Sequence, residues 1–239
     1  MRERDLEVSI KQQPFFEEKY DSSLTDYNEG NRDMAPLLPF VISGGKNTER
    51  YYFQHINNIT NYKLHVLPEY FGNESNYTEI FPKIIKNILE KNNDAKIYCV
   101  FDWDTIYNNE NRINKHQDFE NKIQVDIDRG NVVICKSMPS IEYWFLLHFE
   151  DNPDFLKDYR EVSRVLAPHI KNCFSDPTIK LKKLLKSEKF LRDVNWVKNL
   201  CSDGKLTLAI QRAEANIRNA QNCDILDKQS YSFVYRIFK

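Results

Sequence analysis

A run of apolar, β-branched and aromatic residues, Ile97-Tyr98-Cys99-Val100-Phe101, stops abruptly at two carboxylates spaced by one, Asp102 and Asp104. A short continuous apolar run without alternation reads as a strand buried on both faces, and such strands belong to parallel sheets covered by helices. Ligand sites in those sheets lie beyond the carboxyl ends of the strands, which is where Asp102 and Asp104 fall. Two aspartates there repel each other unless a cation joins them, and their hard oxygens suit Mg²⁺ or Mn²⁺. Aspartate is also common in a polar turn after a strand, so residue type alone permits that plainer reading too.

The flanking segments supply the rest of such a sheet. Phe40-Val41-Ile42-Ser43 predicts a first strand, followed by a helix from about Thr48 to Ile59 with Tyr52, Phe53 and Ile56 on one face. Lys63 to Leu67 predicts a short second strand. Ile80 to Lys91 predicts an amphipathic helix with Pro82 in its first turn. After Asp104 come a charged helix over Ile113–Gln124, a strand over Asn131–Cys135 and an apolar helix over Ser140–Phe149. Strands alternating with helices imply a mainly parallel sheet with helices on both faces. From about Pro153 the pattern is helical and amphipathic, including Lys180–Lys186 and Leu206–Asn219, with no strand evident. Three regions are expected: a polar arm over 1–35, an α/β core over 36–152 and a helical region over 153–239.

The formal net charge is −1, so no overall basic excess points to nucleic acid. The basic run between Lys180 and Lys189 reads first as a solvated helix face, and otherwise as the surface best suited to contact phosphate. The 5 cysteines have no metal-ligand spacing, and Cys99 and Cys135 fall inside predicted strands. They read as buried thiols in a reducing, cytoplasmic setting, with no signal peptide and no membrane-spanning run expected.

Two further constellations face the same sheet edge. Ser43-Gly44-Gly45-Lys46-Asn47-Thr48-Glu49 follows the first strand and opens a helix, whose N-terminus favours anions. It is not a phosphate-binding P-loop, because Phe40 stands where the upstream glycine belongs and Asn47 follows Lys46. Glu49 suits either the helix dipole or a site. In Ser137-Met-Pro-Ser-Ile-Glu142-Tyr-Trp-Phe-Leu-Leu-His148-Phe149, Glu142 begins an otherwise apolar helix just after a strand and is a site candidate. His148 lies nearly two turns on and reads as a packing residue rather than a ligand.

Taken together, Thr48-Glu49 followed by Tyr52-Phe53, Val100-Phe-Asp102-Trp-Asp104 and the Ser137–Phe149 segment resemble the RloB family, from about Phe40 to Glu150, with a looser fit beyond. The resemblance implies a Toprim-like core, in which a glutamate after the first strand and an Asp-x-Asp after the third hold Mg²⁺ or Mn²⁺ for phosphoryl transfer. It implies metal ligation by Asp102, Asp104 and Glu49, with Glu142 completing the shell or orienting water and Lys46 contacting the scissile phosphate. It also implies a nuclease acting on DNA or RNA, tRNA included, in a bacterial abortive-infection system of the AbiLii type, with an ATPase encoded alongside. The family pattern after the first strand is usually Glu-Gly-x-x-Thr-Glu. Gly44 holds the place of its first glutamate here, so weak metal binding, strengthened by Gly44→Glu, is the expectation. A non-catalytic subunit that binds nucleic acid or nucleotide and regulates the ATPase is the alternative. Asp102-Trp-Asp104-Thr105 also looks like the nucleophile motif of haloacid-dehalogenase phosphatases, but that motif sits on the first core strand, and its Thr or Val falls where this chain has Ile106. A glycosyltransferase Asp-x-Asp is a weaker match. The substrate and oligomeric state stay open at this level.

Overall fold

The computed structural model describes residues 38–45, 47–67, 77–174, 176–223 and 226–239. Among these, Phe40–Ser43 (β1), His65–Leu67 (β2), Ile97–Asp102 (β3), Val132–Met138 (β4) and Tyr231–Ser232 (β5) form one sheet, ordered β2-β1-β3-β4-β5. The first four strands are parallel, and β5 runs antiparallel to β4. β3 is the central strand that its composition predicts, buried from Ile97 through Phe101. It pairs with β1 in the register Phe40↔Ile97 to Ser43↔Val100, and with β4 from Ile97↔Val132 to Asp102↔Ser137. The chain passes from β1 outward to β2, then back across β1 to β3. The switch point of the sheet therefore opens between the ends of β1 and β3, where α/β sheets bind ligands.

Side chains alternate across β3 and so recruit two helical layers. Tyr98 and Val100 join a core with Val41 and with Tyr52 and Trp144, which belong to Thr48–Ile59 (α1) and Ile141–Leu147 (α4). Phe101 points to the opposite face and stacks on Tyr77 at 4.7 Å. Tyr77 opens Tyr77–Lys91 (α2), whose Phe81 meets Phe119 of Glu110–Asp128 (α3) at 6.2 Å. α3 starts earlier than expected because the Asn109 side chain caps it, accepting the Arg112 N–H at 3.1 Å. α2 is described from Tyr77, so Pro82 lies past its first turn. The arm expected over residues 1–35 lies outside the described residues, as does Lys46.

The helices Tyr159–Ile170 (α5), Leu181–Leu184 (α6), Glu188–Leu191 (α7), Asn195–Cys201 (α8) and Lys205–Asn222 (α9) follow. They share the core of α1 and α4: Trp196 of α8 lies 6.2 Å from Tyr52 and 5.5 Å from Phe145. Residues 38–239 form one compact unit. The expectation of no strand after Pro153 is corrected by β5, whose two residues are too few to carry an alternation signal. The 3₁₀ segment Phe233–Phe238 that follows buries Phe233, Val234, Ile237 and Phe238. Phe238 stacks on Trp144 at 5.6 Å, and its carbonyl accepts the Tyr62 hydroxyl at 3.1 Å. The five cysteines are free thiols, with Cys99 and Cys135 buried. Among the described residues no helix is long and apolar enough to cross a membrane.

Because Phe238 is a core residue near the end of the sequence, Phe238→Ala should destabilise the fold by about 3–5 kcal/mol, as other large core truncations do. Urea unfolding followed by tryptophan fluorescence measures this. A loss well under 1 kcal/mol, the range of exposed sites, would show that the terminal segment is not part of the cooperative core.

Candidate functional site

Each acidic residue singled out in the sequence sits at the carboxyl edge of the sheet, placed there by a different element. Glu49 lies in the first turn of α1, directly after the loop from β1. Its carboxylate folds back over Gly45, where an added Cβ would come within 1.8 Å of Glu49 Oε2. A side chain at Gly45 would push the Glu49 carboxylate out of its present place. Asp102 ends β3, and its Oδ1 accepts the Ile141 N–H at 2.9 Å, at the start of α4. Glu142 lies in the first turn of α4 and accepts the Ser140 hydroxyl at 2.6 Å. The main chain beyond Asp102 is anchored by Trp103 N–H to Ser137 O at 2.8 Å and by Asp104 N–H to Pro139 O at 3.0 Å. Asp104 turns away from the others, its carboxylate accepting the backbone N–H groups of Thr105 and Tyr159, the latter opening α5.

Gly45, Asn47, Thr48, Glu49, Asp102, Ile141, Glu142 and Lys186 line a cavity of about 220 Å³ at the switch point. Glu49 and Glu142 are only 6% and 4% exposed. Burial, followed by the charge of Glu142 and opposed by Lys186, pushes the Glu49 carboxyl up to about 7. Burial, then Glu49, Glu142 and Asp104, drives Asp102 well above the usual carboxylate range. Glu142 is raised by burial despite its Ser140 bond. Asp104 is raised by burial against the pull of its two backbone donors. Burial and mutual repulsion both favour the protonated forms of crowded carboxylates.

Lys186 belongs to the basic run that reads first as a solvated helix face and otherwise as the surface best suited to contact phosphate, and nothing in the sequence sets it apart from its neighbours. Its place is fixed by contacts between distant parts of the chain. Asn47 Nδ2 donates to the Lys186 carbonyl at 3.1 Å, and the Thr48 hydroxyl donates to the Leu185 carbonyl. The Tyr51 hydroxyl donates to Glu188 at 2.8 Å, and His55 Nε2 donates to the Leu191 carbonyl at 2.7 Å. The start of α1 and the segment 185–191 are thus held together along their length.

Hard, buried, mutually repelling oxygens are a donor set that suits a divalent cation. Their arrangement is not a finished cage: among the described residues no group of three or more His, Cys, Asp or Glu side chains is gathered so as to hold a metal ion. The physical reason lies in the competing donors, since Ile141, Ser140 and Tyr159 each hold one carboxylate in its own direction. A Cβ at Gly44 would face Phe101 and Tyr77 at 3.5 and 3.9 Å, with no steric bar, and Gly44 does not line the cavity. A glutamate there would start from the face of the sheet opposite Glu49. His148 is buried away from the cavity, donates Nδ1–H to the Trp144 carbonyl at 2.9 Å and is pushed down to about 3 by burial, so it packs as a neutral ring.

These features define an α/β protein with a mainly parallel sheet and an acidic pocket at its switch point. The chain belongs to the RloB-like family, whose family model matches residues 40–239. No curated protein matches the chain, and no solved structure does.

Crowding of the carboxylates gives a pH signature. Glu49 keeps its proton in the folded state up to about 7 but releases it near 4.5 when unfolded. Between those values the native state binds more protons, so stability falls as pH rises through the window and stays lower above it. A shift of that size corresponds, fully developed, to on the order of 3 kcal/mol. With chelator present, the protein should therefore unfold at higher temperature in the acidic part of the window than above it. Glu49→Gln should flatten that difference. Equal pH dependence in the parent and the variant would remove Glu49 as its source.

Proposed function

We propose that this protein is a divalent-metal-dependent nuclease with a Toprim-like core, the effector of a bacterial anti-phage, abortive-infection system that works in the cytoplasm with an ATPase encoded alongside. The observation that carries the reading is the convergence of Glu49, Asp102 and Glu142, with Lys186, on one cavity at the switch point, with Asp104 within their electrostatic reach. Membership of the RloB-like family agrees with it.

In this reading Asp102, Asp104 and Glu49 would hold Mg²⁺ or Mn²⁺. Bound there, the ion would supply charge stabilisation for the phosphoryl oxygens and the leaving oxygen. The chain's own groups do the rest. Glu142, fixed by Ser140, orients a water whose oxygen bonds to phosphorus while the P–O ester bond breaks. The water's proton leaves to a carboxylate oxygen or to solvent, and the departing oxygen takes up a proton. Ile141 N–H and Tyr159 N–H hold Asp102 and Asp104 in place, and both carboxylates would have to share these donors with an ion. Because no three His, Cys, Asp or Glu side chains are gathered to hold a metal ion among the described residues, a subunit that binds nucleic acid or nucleotide without cutting it is the second reading.

Asp102→Asn with Asp104→Asn decides between them. Each swap keeps the side chain's shape and removes an anionic ligand, so the fold should persist. Cleavage of DNA or RNA pools with Mg²⁺ or Mn²⁺, in the presence of the ATPase, should drop by at least about 10²-fold, and Mn²⁺ binding by calorimetry should weaken in parallel. Co-expression toxicity that survives the double substitution at the parental level would sink the nuclease reading and favour the binding subunit.

A further inference from the structure

We propose that Lys186 contacts the scissile phosphate and that the exposed lysines beside it lead a nucleic-acid backbone into the acidic cavity. This rests on the reading of the carboxylates as a phosphoryl-transfer site, and it names the substrate class and the surface that receives it.

The segment 180–189 carries Lys180, Lys182, Lys183, Lys186 and Lys189, all exposed. Leu181, Leu184 and Leu185 are buried beneath them and fix which way the lysines face. The one acid in the segment, Glu188, is occupied by Arg192 and the Tyr51 hydroxyl. Among the described residues none of these lysines has a carboxylate within ion-pairing distance. A basic strip held by its own leucines, with no carboxylate ion-paired to it among the described residues, is arranged for an external anion.

Lys186 is the member of the strip that reaches the cavity. Asn47 holds its carbonyl and its ammonium lies 5.5 Å above the Tyr159 ring, close enough to act electrostatically on Glu49, Asp104 and Glu142 without pairing with any of them. A phosphate oxygen placed between this ammonium and a cation on the carboxylates would be attracted by both. Lys186 forms no covalent bond in this scheme. It neutralises charge that builds on the phosphoryl oxygens. A mononucleotide would engage Lys186 alone, whereas the lysines beyond the cavity meet phosphates only if the phosphodiester chain continues past it.

The test uses the full chain and fluorescein-labelled single-stranded DNA and RNA oligonucleotides, with Ca²⁺ replacing Mg²⁺ for binding and with Mg²⁺ and the ATPase present for cleavage. The parent should bind with a salt-dependent affinity. Combined Lys182→Gln, Lys183→Gln and Lys189→Gln should flatten the slope of log affinity against log salt by about 2, at roughly 0.7 per phosphate contact. Lys186→Gln should flatten it by about 0.7 and lower the cleavage rate by about 10²–10³-fold, with Lys186→Arg restoring binding. Unchanged slopes in both variants, no binding by the parent, or a nucleoside monophosphate that binds as tightly as the oligonucleotide would each overturn the inference. A parent that cuts while Lys186→Gln cuts equally fast overturns it and leaves the nuclease standing. A parent that binds with the predicted slopes but never cuts supports this surface and removes the nuclease.

Discussion

The structure depends on β3 being a strand paired along both edges and covered on both faces. A strand so enclosed has one place to put polar groups, its end, and Asp102 is the first residue of β3 that is even partly exposed. The pairing with β1 on one side and β4 on the other then fixes what surrounds that end. Ser43 is level with Val100, and Ser137 with Asp102 itself. The loop from β1 therefore delivers Glu49, and the loop from β4 delivers Ile141 and Glu142, to within reach of the same point. No long-range tuning of these loops is needed, since the register alone brings three acids to one cavity.

Burying carboxylates together works against folding, and the local donors show how the chain bears it. Ile141 N–H, the Ser140 hydroxyl and the backbone of Thr105 and Tyr159 each satisfy one acid, while Lys186 faces the group from outside the sheet. None of these cancels the mutual repulsion, so the acids hold protons more tightly than they would in water. A site tuned only for stability would replace them with apolar residues. Their presence together in one cavity, with perturbed protonation, costs stability that apolar residues at the same places would not.

Much of this was legible in the sequence because local signals agreed with the fold. The apolar run at 97–101, the amphipathic spacing of 80–89 and the placement of Glu49, Asp102 and Glu142 directly after strands each needed only a short window. What escaped shares one cause, dependence on distant partners. β5 is too short to announce itself and exists because β4 offers an open edge to Tyr231 and Ser232. The direction of Asp104 is set by the first turn of α5 rather than by its own neighbours. Lys186 was visible only as one lysine among several, because its selection depends on Asn47 and Thr48, more than a hundred residues earlier in the chain.

That last pairing bears on how the two halves of the chain relate. If the helices after Pro153 were an attachment to a finished core, the cavity would keep its walls without them. Instead Lys186 forms one wall, and the segment carrying it is held to α1 by bonds from Asn47, Thr48, Tyr51 and His55. Asn47 precedes α1 as its N-cap, and Thr48, Tyr51 and His55 lie in the turns of α1 that carry or follow Glu49. A displacement of segment 185–191 would therefore move a cation and a carboxylate of the site together. The position of the C-terminal helices and the charge balance of the cavity are coupled through the first turns of α1, which gives any partner that binds those helices a direct mechanical route to the acids.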